Sequence, residues 1–432
     1  MGGTEIYTLR LVQQLQLLGV TGIVIIPNFN SPITDEYFYE GIRIIRYAEQ
    51  TISNRSIIMG KKAPDGLGIF TKILEQEKPD LIHFHEIAAG RGIGFFHVQK
   101  ANNLNIPIVS TYHLANTCFT GSLIYKDNDK CNGLINIEKC TECIFYAKGL
   151  KNTNGKILSK IASLLYNINI NTIFLGNPIS TALGFPFVIK KVQTDLIKLS
   201  NVTNKFIVLT EWYKDILNKN GVPLNKLVHI KQGLTTHLPF KKSSFKVSHP
   251  LKIVFIGRIS EVKGIHLLID AISKIETHRI SLYIYGQESI NNYVKQCKQN
   301  SLSYSNIHWM GVIPSSEVIT ELSKYHVLCL PSIFSEMSPL VIQEAFAAGL
   351  PVLASDVYGN AEQIKEGING WLFKFKDNID LFEKLTTLTN DFSLIERARL
   401  NLPTTQSFLN IALDHVELYT DILTHIENEI KI

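Results

Sequence analysis

Two glutamates, Glu336 and Glu344, stand with seven residues between them in the stretch FSEMSPLVIQEAFAAGLPV. A serine and a proline, Ser338 and Pro339, lie where a helix should begin. Serine suits the N-cap and proline the first helical position, where its missing N–H costs nothing. The free N–H groups of such a first turn, with the helix dipole behind them, attract phosphate. Glu344 falls roughly 7–8 Å further along the axis, and Glu336 lies in the loop before it. Ionised carboxylates accept hydrogen bonds from hydroxyl groups. A ligand with a hydroxylated ring, then phosphates, then another hydroxylated ring fits this order. A nucleotide sugar has that shape, although two solvated glutamates would give the same letters.

Positioning these groups requires a strand ending near Pro331 and Ser332, a loop, a helix stopped by Gly349 and Pro351, and another strand in PVLAS. The chain alternates strand-like and helical stretches throughout, which predicts parallel sheets covered by helices on both faces. EIYTLRLVQQLQLLG has helical spacing at Ile6, Leu9, Val12, Leu15 and Leu18, and GIVIIP reads as a buried strand. Residues 236–250 are polar, basic and proline-bearing, and read as a linker. The expectation is a first Rossmann-like domain over 1–235, a second over 251–405, and a terminal helix over 406–432. In such sheets ligands bind beyond the carboxyl ends of the strands, so a cleft between two facing domains is the expected site.

At 432 residues, with 45% hydrophobic and 19% charged, the chain reads as a soluble globular enzyme. A formal net charge of +5 suits a solvated surface, or a basic face toward an anionic membrane or substrate. No strongly basic stripe supports nucleic-acid binding. No apolar run approaches the ~20 residues of a membrane span, and no secretory signal is read at the start, so a cytoplasmic location is expected.

The glutamate stretch resembles the E-x7-E signature of family 4 glycosyltransferases, retaining enzymes of the α/β GT-B fold. The resemblance implies that Glu336 faces donor-sugar hydroxyls and Glu344 the ribose, with main-chain N–H groups from Met337 through Ser338, Pro339 and Leu340 to Val341 around the diphosphate. FIGRISEVKGIHLLIDA resembles the family's G-R-x-x-x-x-K-G segment, in which Arg258 and Lys263 would neutralise the leaving diphosphate without a metal. YGQE, with Gly286, and GVIP, with Ile313, resemble segments that meet the donor and its base. YGNAEQIKEGINGWLF resembles the segment after the signature. In the first half, MGGTE resembles a glycine-rich turn in which Gly2 and Gly3 let a ligand approach. IPIVSTYH ends in His113, placed by resemblance near the reacting sugar; His83 and His85 read as packing residues. The implied activity is transfer of a sugar from a nucleotide-diphosphate sugar to a glycan or glycolipid hydroxyl in surface-polysaccharide synthesis. A nucleotide-sugar epimerase and a non-catalytic nucleotide-sugar binder are the alternatives.

Family members carry a central strand before the glycine pair, which Met1-Gly2-Gly3 leaves no room for. The expectation is a first sheet without that strand, and a chain that is poorly stable or inactive. Four cysteines, Cys118, Cys131, Cys140 and Cys143, follow the spacing C-x12-C-x8-C-x2-C within an insertion over 118–143. They could close a structural zinc site; reduced thiols in a flexible loop or a disulfide pair are the other readings. Residues 148–168 mix lysines with an apolar face, read as an ordinary surface helix or a peripheral contact with the membrane.

Overall fold

Runs of β-branched residues such as LKIVFI, ISLYIY, VLCL and VLAS are buried along nearly their whole length, which calls for cover on both faces. In the computed structural model they form one parallel sheet. Across it the strands run Ile307–Gly311, Ile280–Tyr285, Leu251–Ile256, Val327–Leu330, Val352–Ser355 and Gly370–Phe373. The structure describes residues 3–29, 31–49, 55–87, 92–151, 153–234, 246–288 and 292–430. Gly2 and most of the segment read as a linker lie outside them.

The chain divides into two compact units. One comprises 1–127, 131–231 and 408–432; the other comprises 128–130 and 232–407. In the second unit, side chains alternate between the two faces of the sheet. Ile253 and Phe255 enter one core layer with the helix Ile265–Ser273, and Val254 enters the other with the helix Leu340–Ala347. Val247, inside the segment read as a linker, is buried in the first of these layers.

In the first unit all the described strands but the short Ile124–Tyr125 fall into two sheets. Ile23–Phe29, Ile42–Glu49 and Asp35–Tyr39 form one, and Ile82–His85, Ile108–Tyr112, Lys205–Val208 and Leu227–His229 the other. Ile23–Phe29 and Ile82–His85 are each an edge of their sheet. The strand read as buried is therefore only half-covered, with Ile26 36% and Phe29 38% exposed. An edge strand lacks a neighbour on one side, which an apolar run alone does not reveal.

The helix Gly3–Leu17 buries Tyr7, Leu9, Leu11, Val12 and Leu15, while Ile6 faces outward. Leu9 and Val12 pack on Ile42 and Ile44 of the first sheet. Its other partner is the long helix Phe408–Ile430, where Phe408 meets Tyr7 at 5.4 Å between ring centroids. Chain ends distant in sequence are thus joined through aromatic packing. Replacing buried Phe408 by Ala should cost about 3–5 kcal/mol in chemical denaturation of the first unit; a change near zero would show that this helix is not part of its cooperative core.

Candidate functional site

The second unit assembles its groups at the carboxyl ends of its strands. The chain leaves Leu330, passes Pro331 and Ser332, and reaches Glu336 before the helix Leu340–Ala347. Pro339 occupies the N-cap with φ −66° and ψ 113°, and the helix starts at Leu340. The expected Ser338 cap is thus displaced by one residue, because Pro339 is extended rather than helical. Pro339 offers no side-chain cap, so the first-turn N–H groups have no capping side chain.

Glu336 is buried. Its Oε1 accepts from Lys263 Nζ at 2.6 Å and from Ser332 Oγ at 2.8 Å. Lys263 arrives from the strand Leu251–Ile256 through a short 3-10 turn, Glu261–Lys263, and lies 5.3 Å from the centroid of the Phe334 ring. Gly264 turns the chain there with φ +69°, and a Cβ would sit 1.8 Å from the Pro331 carbonyl oxygen. Only glycine lets the two loops approach this closely. A Cβ on Gly359 would likewise lie 2.1 Å from the Glu336 carbonyl oxygen. Behind them Ser355 Oγ donates to the Ser332 carbonyl at 2.6 Å, and Asn360 Nδ2 donates to the Ser355 carbonyl at 3.1 Å.

Arg258 is exposed and makes no hydrogen bond or ion pair among the described residues. Glu344 sits on the helix, half-buried and without a side-chain partner among the described residues. Burial pushes its carboxyl up to about 7. Gly286 donates its N–H to the Gly311 carbonyl at 2.8 Å and abuts the Gly257 carbonyl, while Ile313 packs on the core below. Lys263, Ser332 and Glu336 are thus drawn into one group, and no hydrogen bond ties Arg258 or Glu344 to it. Sequence reading missed Ser332, Gly264 and Gly359; the serine directly after the strand was the available signal.

In the first unit, Gly3 opens its helix with nothing within 4 Å of a would-be Cβ. His113 is buried after the strand Ile108–Tyr112, and its Nε2 shares a hydrogen bond of 3.1 Å with His85 Nδ1. His83 continues the row, held between Thr111 Oγ1 and Tyr419 Oη at 2.7 Å each. His83 and His85 alternate onto one face of their strand, which brings them into the histidine row. Glu86, at φ +68°, accepts from the N–H groups of His113 and Leu114 at 2.8 Å and from Asn116 Nδ2.

The four cysteines of the insertion line one cavity of about 30 Å³. Cys140 and Cys143 project from the helix Ile137–Ala147 one turn apart. Among the described residues, no group of three or more His, Cys, Asp or Glu side chains stands arranged to hold a metal ion.

The model for Glycosyl transferases group 1 matches residues 239–401, and that for Glycosyltransferase Family 4 matches residues 1–128. Among solved structures, the HepE protein of Anabaena in complex with UDP-glucose superposes at a TM-score of 0.59. It is 14% identical and covers 98% of this chain and 96% of that one. A glycosyltransferase from Rickettsia africae superposes at 0.62, with 16% identity over 98% and 95%. The chain has the GT-B fold. Curated relatives of this GT-B chain include spore coat protein SA of Bacillus subtilis, 30% identical over 159 residues, 34% of this chain and 42% of that one. The putative colanic acid biosynthesis glycosyltransferase WcaL of Salmonella typhimurium is 25% identical over 253 residues, 57% of this chain and 60% of that one. The matched segments span about half the length of these curated relatives.

Burial holds several histidines of the first unit neutral. His97, His113 and His415 fall from 6.5 to about 4, and His83 and His85 are held well below 6.5 by burial and then by neighbouring histidines, His113 and His415 among them. Between those values the unfolded chain binds more protons than the folded one, so stability falls as pH drops from 6.5 toward 4. Glu86 and Glu344, raised to about 7 by burial, and Asp414, also raised by burial, act in the opposite direction, but they are three groups against five. The melting temperature should therefore drop steadily on acidification across this window; a flat or rising profile would contradict the neutral histidine row.

Proposed function

We propose that this chain is a retaining glycosyltransferase that moves a sugar from a nucleotide-diphosphate sugar to a hydroxyl acceptor. The observation that carries the reading is the buried Lys263–Glu336–Ser332 group beside an uncapped helix start. The helix start suits a diphosphate, and the carboxylate beside it suits sugar hydroxyls. Arg258 is left free to meet the leaving phosphate, and Glu344 lacks the hydroxyl donors that a ribose would supply. Lys263, already paired with Glu336, links sugar recognition to phosphate charge.

The chemistry follows from charge. As the bond to the anomeric carbon breaks, negative charge grows on the diphosphate, and fixed cations and amide N–H groups stabilise it there. The acceptor oxygen attacks from the same face within the resulting ion pair and passes its proton to the departing diphosphate oxygen. His113 would touch donor oxygens, and its N–H···N bond with His85 fixes its ring. Gly286, Ile313 and the backbone around Met337 to Val341 complete donor binding. No metal is required for these steps. Relatives named for colanic acid and amylovoran biosynthesis favour a surface-glycan precursor as acceptor. Structures in complex with UDP and UDP-glucose make a UDP-sugar the first donor to test.

Arg258 is exposed and unpartnered, so Arg258→Ala should leave melting within about 0.5 kcal/mol of wild type. It should slow nucleotide release from donor and acceptor by about 10²–10³-fold. Glu344→Ala should weaken nucleotide binding in a thermal-shift titration by about 10–100-fold, the worth of hydrogen bonds to a charged group. Tight nucleotide retention without turnover in the wild type would favour a binding protein and end the transferase reading.

The cysteines are assigned a separate, structural role. Four thiols around a cavity of about 30 Å³ have room for one ion, and four thiolates leave no open coordination position for catalysis. Their closing on zinc would require the thiols to shift toward one another, since as they stand they are not arranged to hold an ion. Protein purified without chelator should contain about one zinc per chain, lost in the Cys140→Ser/Cys143→Ser double variant. Zinc near zero in the wild type would refute the assignment.

A further inference from the structure

The helix Thr153–Asn167 is packed the wrong way round for a surface helix. Its buried residues are Gly155, Ser159 and Ala162, all small. Gly155 lies so close to the preceding turn that a Cβ would sit 2.2 Å from the Leu150 carbonyl oxygen. The large side chains point outward instead: Ile157, Ile161, Leu164 and, one residue beyond the end, Ile168 are 53%, 43%, 60% and 55% exposed. At about 100° per residue these four share one stripe, opposite the small residues. Leu175 and Ile179 are likewise exposed in the segments that follow. Single exposed aliphatics need no explanation, but a contiguous stripe marks an interaction surface.

Its electrostatics identify the partner. From Cys143 to Thr194 the chain holds six lysines and no aspartate or glutamate. Lys156 and Lys160 border the stripe on one side, and Lys148 and Lys151 stand exposed just before the helix. The nearby acids come from elsewhere: Asp127 lies 4.0 Å from Lys151, and Glu142 is paired with Lys126 while feeling the charge of Lys156. No described helix is long and apolar enough to cross a membrane, so the stripe would lie in the interface rather than span it.

From these observations we propose that Thr153–Asn167 and the turn after it dock on a lipid bilayer with anionic headgroups. The aliphatic stripe enters the acyl boundary while the lysines meet the headgroups. A second copy of the chain is the less suitable occupant, since a two-fold interface would set two lysine-edged faces of like charge together. The proposal stands apart from the transferase reading, because bilayer binding needs no nucleotide sugar.

The test is flotation of the full chain with vesicles of phosphatidylcholine alone or with phosphatidylglycerol. Binding is expected to the anionic vesicles, to weaken with salt, and to fall at least about tenfold in Ile157→Gln/Ile161→Gln/Leu164→Gln. Lys156→Glu/Lys160→Glu should cost about fivefold per lysine. Circular dichroism and a nucleotide thermal shift, measured alongside, should match wild type in both variants. Three results would overturn the proposal: a cooperatively folded wild type that ignores anionic vesicles, a triple variant that floats unchanged, or a wild-type dimer in sedimentation that the triple variant abolishes.

Discussion

The second unit depends on a buried ion pair. Lys263 and Glu336 have side chains only 20% and 10% exposed, and a pair so placed loses much hydration. Such a pair is maintained only where geometry is close and the remaining lone pairs are used. Ser332 supplies one further hydrogen bond, and two glycines allow the backbone approach. Any side chain at Gly264 would meet the Pro331 carbonyl, and any at Gly359 the Glu336 carbonyl. Three loops from different strands are therefore locked around one carboxylate. The adjacent helix start and Arg258 keep the positive potential that the lysine has partly spent on Glu336.

The first unit uses a different device. Burial holds His83, His85 and His113 neutral, His85 is hydrogen-bonded to His113, and the terminal helix reaches His83 through Tyr419. The strands that carry them are short, and their sheet ends at Ile82–His85. The helices Gly3–Leu17 and Phe408–Ile430 supply much of the apolar packing on that side.

Much of this was legible in the letters. Apolar runs of strand length separated by helical periods gave the parallel sheet of the second unit, and Pro339 and Gly349 gave the helix of the glutamate signature to within a residue or two. The outward stripe on Thr153–Asn167 was legible only as a period. A helical pattern reports which residues share a face, but not which face the neighbours cover. At Gly155 the Leu150 carbonyl comes too close for any larger residue, so that face turned inward with its small residues.

The sequence by itself determined the element order, the placement of the two glutamates about a helix start, and the spacing of the four cysteines, because these follow from local backbone preference and residue chemistry. Only tertiary structure decided that Lys263 pairs with Glu336, 73 positions further along, that His83 and His85 join His113, and that Ile23–Phe29 lies at a sheet edge. Hydrogen bonds, ion pairs and burial depend on distances between segments remote in the chain. Local preference carries no information about those distances until the core has packed.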